Sequence, residues 1–337
     1  MTKLGFWSVL ACCLALSACG ERGGEEADLG AAESLLGTGK GIDHVVVAVR
    51  DLDASQNFFV DSLGFSRAPR GEIPGLENTE FWLSDTTYIE LVTVTDPEQA
   101  AQIMPQLPPF LEEHEGAMYL GLDVASAERT AEYLTARGFQ IMGPLGGSVI
   151  LAGMDEPPPD VWHYVVFREP VVPANAIFFI EYDDSVLNWM AQEHPDLAPT
   201  HYWSHPNGAL GIQAVWMAVN DLEMATAAYE SLGFTRGATP DRYFFGDTVR
   251  DIKTGHGEIL LMAPGDDETF VARFLQRRGE GVMGVSVRVA DLAKLREVVS
   301  PPVWRKFLPY DGLHGDAVLV QPPVAHGLWI ELFEQPS

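Results

Sequence analysis

Thiols are almost absent from this chain of 337 residues: there are three cysteines, Cys12, Cys13 and Cys19, all within the first twenty positions. The rest of the chain has no thiol with which to build a disulfide, a thiolate metal site or a cysteine nucleophile. Basic residues are scarce as well, 21 Lys and Arg against 48 Asp and Glu, for a formal charge of −27. That balance excludes a nucleic-acid partner, whose phosphates need a basic footprint, and a polybasic membrane-surface protein. GxxxxGKS phosphate loops, Gly-x-Ser-x-Gly elbows and HExxH motifs are missing, so nothing supports the classes built on them. Chemistry, if there is any, falls to imidazole, carboxylates, hydroxyls and backbone. The chain is nonetheless 47% hydrophobic and only 20% charged, enough apolar matter for real cores. At roughly 100–200 residues per domain, its length suggests two.

The apolar stretch Leu4–Ala18 comes after a single Lys3. It has the length of a signal-peptide core and is short of the about 20 residues of a membrane span. Its end, Leu16-Ser17-Ala18-Cys19-Gly20, resembles the lipobox of bacterial lipoproteins. The resemblance implies cleavage after residue 18, lipid on Cys19 and attachment to the cell envelope. Gly20 after the cysteine suits the outer membrane facing the periplasm. An ordinary cleaved signal or a short anchor is the plainer alternative. Residues 19–40, rich in Gly, Glu and Ala, read as a flexible tether.

Internal repeats organise the chain beyond residue 40. GIDHVVVAVRDL (41–52) recurs as GIQAVWMAVNDL (211–222) and GVMGVSVRVADL (281–292), and more weakly as GAMYLGLDV (116–124). Each copy starts as a buried strand. In the first, Asp51 and Asp53 suit a helix N-terminus, Phe58 and Phe59 pack that helix on the sheet, and Gly64 ends it in the left-handed region. Closing strands recur too, at 87–92, 178–182, 258–262 and 328–332. The chain thus holds four strand–helix–strands modules. Similar connectors, 110–116 and 274–281, pair the first module with the second and the third with the fourth. Residues 183–207 read as a linker.

The GIDHVVVAVRDL strand, the SLGF helix ends and the YIELV closing strand resemble the vicinal oxygen chelate superfamily, closest to its glyoxalase-like domains. The resemblance implies an α+β fold. Four βαβββ modules would pair into two curved mixed sheets, a first domain at 41–182 and a degenerate second at 208–337. It also implies a divalent metal (Zn, Mn, Fe(II), Ni or Mg) held by residues from the first and closing strands of paired modules. His44, Glu90 and Glu181 match three such positions, and the fourth falls at Met118 or Tyr119. Glu90, Glu181 and Tyr119 are then the candidate catalytic groups. In strand alternation Glu90 shares a face with Tyr88 and Val92, and Glu181 with Phe179. In the second domain Ala214 and Gly284 replace expected ligands, while Glu331 is kept and Glu258 lies two residues early.

His163 could point into the first cavity. Trp162, Tyr164, Tyr202 and Trp203 would suit a flat ligand. His201 and His205 read as linker packing, and His314 and His326 as solvated loop residues. One imidazole and two carboxylates suit a lyase or isomerase acting on a small oxygen-bearing substrate better than an oxygenase. The alternatives are a metal-free small-molecule binder and a structural envelope lipoprotein.

Overall fold

The computed structural model describes residues 30–335 apart from 152, 153, 155–157, 159, 198–201, 239 and 240. The signal segment, Cys19 and His201 lie outside the described residues.

Nine strands form the first sheet: β1 Ile42–Ala48, β2 Arg70–Ile73, β3 Leu76–Trp82, β4 Tyr88–Val94, β5 Gly116–Asp123, β6 Ile141–Gly147, β7 Ile150–Leu151, β8 Trp162–Phe167 and β9 Ile177–Tyr182. Their order is β6-β8-β9-β5-β1-β4-β3-β2-β7. Nine more form the second: β10 Ala209–Ala218, β11 Thr235–Arg236, β12 Arg242–Phe244, β13 Asp247–Lys253, β14 Glu258–Ala263, β15 Gly281–Val289, β16 Leu308–Asp311, β17 Asp316–Val320 and β18 Trp329–Glu334. Here the order is β11-β13-β14-β10-β15-β18-β17-β16, with β12 beside β13. In both sheets the leading strands of two modules pair antiparallel at the centre, β1 with β5 and β10 with β15. Each leading strand also pairs in parallel with the closing strand of its own module. This is the expected pair of curved mixed sheets.

Local chemistry sets the elements. Asp51 and Asp221 cap the helices Leu52–Asn57 and Leu222–Leu232, accepting from the amides of Ala54 and Met224. The first continues as a π-helical turn, Phe58–Ser62, before Gly64 (φ 78°), and the second ends on Gly233 (φ 103°), a backbone state that costs glycine little. One core runs behind both sheets, from Phe59, Phe65 and Phe81 to Tyr229, Phe234 and Leu295. The segment between the sheets is tied into it. Asn207 donates to Leu63 O at 3.0 Å, and Ile212 N–H to Thr87 Oγ1 at 2.8 Å.

Strand β9 shows which way each face turns. Phe179 is fully buried in the core, while Phe178, Ile180 and Tyr182 face the hollow of the first sheet. Glu181 shares the face of Phe179. Its carboxylate accepts from Ala127 N–H at 2.7 Å, on the first turn of the helix Ala127–Ala136. A carboxylate suits that end because the free amides and the helix dipole present positive charge there.

The hollow of the second sheet is filled from within. Trp216, Phe244, Met262, Met283 and Leu319 pack together on it. Amid them His314, expected to be solvated, is largely buried between two acids. Its Nε2 lies 2.9 Å from Glu258 and its Nδ1 3.4 Å from Glu331. Ser286 and Tyr310 each donate to Glu331 at 2.5 Å, Trp216 donates to Ser286, and Lys253 pairs with Glu258. Burial disfavours the His314 imidazolium, but the bonds to Glu258 and Glu331 outweigh it and lift its pKa to about 9. Burial likewise opposes ionised Glu258, yet His314 and Lys253 hold it down at about 2.

His314 gains its partners on folding, so its contribution is complete below its ordinary pKa of 6.5 and is lost as pH rises through about 9. Thermal melts should fall over that window, and His314→Gln should flatten the fall while costing about 3–5 kcal/mol by stranding buried carboxylates. Glu181→Ala should cost about 1 kcal/mol in denaturant unfolding and leave ligand binding unchanged, because its bond belongs to the helix.

Candidate functional site

The hollow of the first sheet is open and encloses about 1670 Å³. His44 sits at its floor, only 3% exposed. Its ring lies flat on Tyr88, with centroids 4.3 Å apart and planes 11° apart, and edge-on to Phe178. Tyr88 stacks in turn on Trp82 at 4.2 Å, so three rings form one pile. Across the sheet His44 stands opposite Gly121, where an added Cβ would come within 2.6 Å of the imidazole. The absence of a side chain at Gly121 is what makes room for the ring.

Asp43 should turn away from His44 under strict alternation. A bulge in the β1–β5 pairing between Ile42 and His44 re-aims it. His44 Nδ1 donates to Asp43 Oδ2 at 2.5 Å, which also accepts from Tyr182 Oη at 2.9 Å. Tyr88 Oη lies 2.7 Å from Tyr182 Oη and completes the chain as donor. The Asp43 bond fixes the imidazole so that Nε2 faces the hollow. Glu90 Oε2 lies 3.7 Å from that nitrogen, and Asn78 Nδ2 donates to Glu90 Oε1 at 2.8 Å. Glu80 stands opposite Glu90 on β3 and accepts from Trp82 Nε1 at 2.6 Å.

This crowding sets the electrostatics. Burial pushes the His44 imidazolium down, but the bond to Asp43 and the charges of Asp43, Glu90 and Glu80 raise its pKa above the ordinary value. Burial and the neighbouring Glu90 lift Glu80 to about 7, against the bond from Trp82. Burial first, then the charges around them, push the Tyr88 and Tyr182 phenols well up, so both stay neutral. An imidazole and a carboxyl, both shifted upward, thus share one floor.

Of the expected metal ligands, His44 and Glu90 come together and Glu181 does not. Strand register gives the reason. Ala214 lies opposite Glu258 as His44 lies opposite Tyr88. Ser286 lies opposite Glu331 as Gly121 lies opposite Phe178. The counterpart of Glu331 is therefore Phe178, not Glu181, and that of Glu258 is Tyr88, not Glu90. The four equivalent floor positions of the first sheet are His44, Tyr88, Gly121 and Phe178, a set with one metal-binding side chain. Among the described residues no three His, Cys, Asp or Glu are grouped to hold a metal ion. The donor set does not fit the divalent centre that the resemblance implies.

Tyr119 does line the hollow, but it pairs with Val46 and its hydroxyl donates to Gln106 at 3.0 Å, away from His44. Trp162 and Tyr164 line the hollow and His163 between them does not. His205 is a packing residue: it accepts from Ser66 N–H at 3.0 Å and donates to Trp82 O at 2.7 Å. His326, expected to be solvated, is partly buried, with Nδ1 3.1 Å from Ser55 Oγ. Asp43, Glu80, Tyr88 and Tyr182 are site residues that motif reading missed. The signal for Glu80 and Tyr88 was there, since both share strand parity with Glu90 or lie opposite it. Nothing in the sequence marks the bulge that brings in Asp43.

The glyoxalase-like domain profile matches residues 42–233, more than half the chain. A protein from Staphylococcus aureus described as hypothetical shares the fold at a TM-score of 0.55 and 13% identity, over 87% of this chain and 98% of its own. A mutant of 4-hydroxymandelate synthase from Streptomyces coelicolor does so at 0.56 and 14% identity, over 89% and 94%. Methylmalonyl-CoA epimerase from Mycobacterium tuberculosis is 27% identical over 39% of this chain and 91% of its own, with a TM-score of 0.35. No curated protein matches the chain. With its paired modules and curved sheets, the chain belongs to the glyoxalase-like domain family.

Proposed function

We propose that the first hollow is the active site of an isomerase- or lyase-type enzyme that moves protons on a small oxygen-bearing substrate. The observation that carries this reading is the convergence of Asp43-oriented His44 with Glu90 and Glu80 on the floor of an open cavity. A base positioned by a carboxylate, with a second acid–base group beside it, is the arrangement that proton transfer requires.

The residues divide the work between them. Glu90, held by Asn78, takes a proton from a carbon next to a substrate carbonyl. The protonated His44 donates its Nε2 proton to the carbonyl oxygen, giving a neutral enol. Asp43 steadies the imidazolium before the transfer and keeps Nε2 facing the substrate after it. The enol then returns its O–H proton to His44 Nε2 as the carbon takes a proton from Glu90, or from the Glu80 carboxylic acid beside it, and a carbonyl compound is regenerated. In the second case Glu90 hands its proton to Glu80 and the site is restored. Trp82, Tyr88 and Phe178 keep this floor apolar, which strengthens each charge on it.

The test is proton exchange. In deuterated water, a panel of small carbonyl compounds monitored by NMR should include members that lose their α-C–H signal in the presence of the protein. His44→Ala should slow that loss by about 100-fold or more, with chelator making no difference. Equal exchange by His44→Ala would overturn the assignment. The envelope anchor is a second part of the proposal, supported by the Leu16–Gly20 pattern. Cells fed labelled palmitate should label the protein, and Cys19→Ala should abolish the label.

A further inference from the structure

We propose that the first hollow takes an organic cation, a compound pairing a flat apolar body with an amine, quaternary ammonium or protonated heterocycle. This rests on the reading of the hollow as the substrate site and names its substrate class. The charges along the wall carry it. Glu72, Glu77, Glu80, Glu90 and Asp160 line the hollow, and besides His44 the cation lining it among the described residues is Arg168. Arg70, outside the lining, neutralises Glu77 at 3.2 Å. Glu80 receives a neutral donor instead, the indole of Trp82, and Glu90 receives the amide of Asn78, with His44 Nε2 farther off at 3.7 Å.

Those two acids stand directly opposite each other on neighbouring strands. Like charges in that relation are adverse for a sheet. The second sheet shows how the same fold answers paired acids when it closes them off: it places His314 between Glu258 and Glu331 and Lys253 on Glu258. In the first sheet His44 leans on Asp43 instead, and Glu80 has no ion-pair partner among the described residues. Glu90, Glu72 and Asp160, joined by Glu80 whenever it gives up its proton, leave negative potential facing open space.

The rest of the wall suits what would answer it. Trp82, Trp162, Tyr164 and Phe178 line the same hollow, and aromatic faces attract cations once water is displaced. Asn175, also on the lining, has a buried Oδ1 with no hydrogen-bond partner among the described residues, an acceptor suited to an N–H. An anionic substrate would meet a cleft of its own sign, which repels rather than focuses it.

Three probes that share a phenol ring and differ in charge test this: tyramine, 4-(2-hydroxyethyl)phenol and 4-hydroxyphenylacetate. By calorimetry on the full soluble chain, tyramine should bind about tenfold or more tighter than the neutral alcohol, and the carboxylate should bind weakest. Glu80→Gln should shrink the preference for tyramine. Should that variant not fold, raising salt on the unaltered protein from about 0.05 to about 0.5 M should weaken tyramine and leave the alcohol unchanged. If the alcohol or the carboxylate binds as tightly as tyramine, the cation assignment falls and the hollow stands as a binding site. Binding of none of the three overturns the hollow as a site for flat organic compounds, and this inference with it.

Discussion

Every strand of a curved sheet has one face against the helices and one towards the hollow, and membership of the site is decided by that alternation. Glu90 belongs because it shares parity with Tyr88 and Val92, which line the hollow. Glu181 does not, because its parity is that of buried Phe179. A local exception, the bulge between Ile42 and His44, produces the defining feature of the site by setting two consecutive side chains against each other. Without it Asp43 would face the helices, and His44 would lack the acceptor that orients it.

The two sheets apply one topology to opposite ends. At equivalent positions the second carries Glu258 and Glu331 where the first carries Tyr88 and Phe178. Two acids on a closed floor require a counter-charge, and His314 supplies it from the loop between β16 and β17. The aromatic residues around that loop then exclude solvent. In the first sheet the aromatic side chains are the floor itself and the acids lie beside them, so the hollow stays open. Divergence between the halves lies in which groups balance charge internally and which leave it unbalanced.

Much of the fold was legible in the sequence because it depends on periodicity and repetition, both visible in one chain. Alternating β-branched runs, Asp51 and Asp221 at helix starts, and Gly64 and Gly233 at helix ends all do in the structure what their chemistry dictates. The site was legible only in part. His44 and Glu90 stand out as polar residues within apolar strands. Pairing register, however, is a property of two strands together. The strings FFIEY and LWIEL look alike, yet the pairing offsets them by three residues, enough to exchange Glu181 for Phe178. His314 was misread for a related reason: a loop residue gains its importance from where the loop folds back, and composition does not carry that.

The segment joining the sheets has a consequence for how the two halves depend on each other. His205 packs on Phe65 and holds the carbonyl of Trp82, while Asn207 holds that of Leu63. Trp82 is the outer ring of the pile that ends on His44. The second sheet thus begins beside the residues that brace the floor of the first hollow, so loosening that junction would reach His44 through Trp82 and Tyr88.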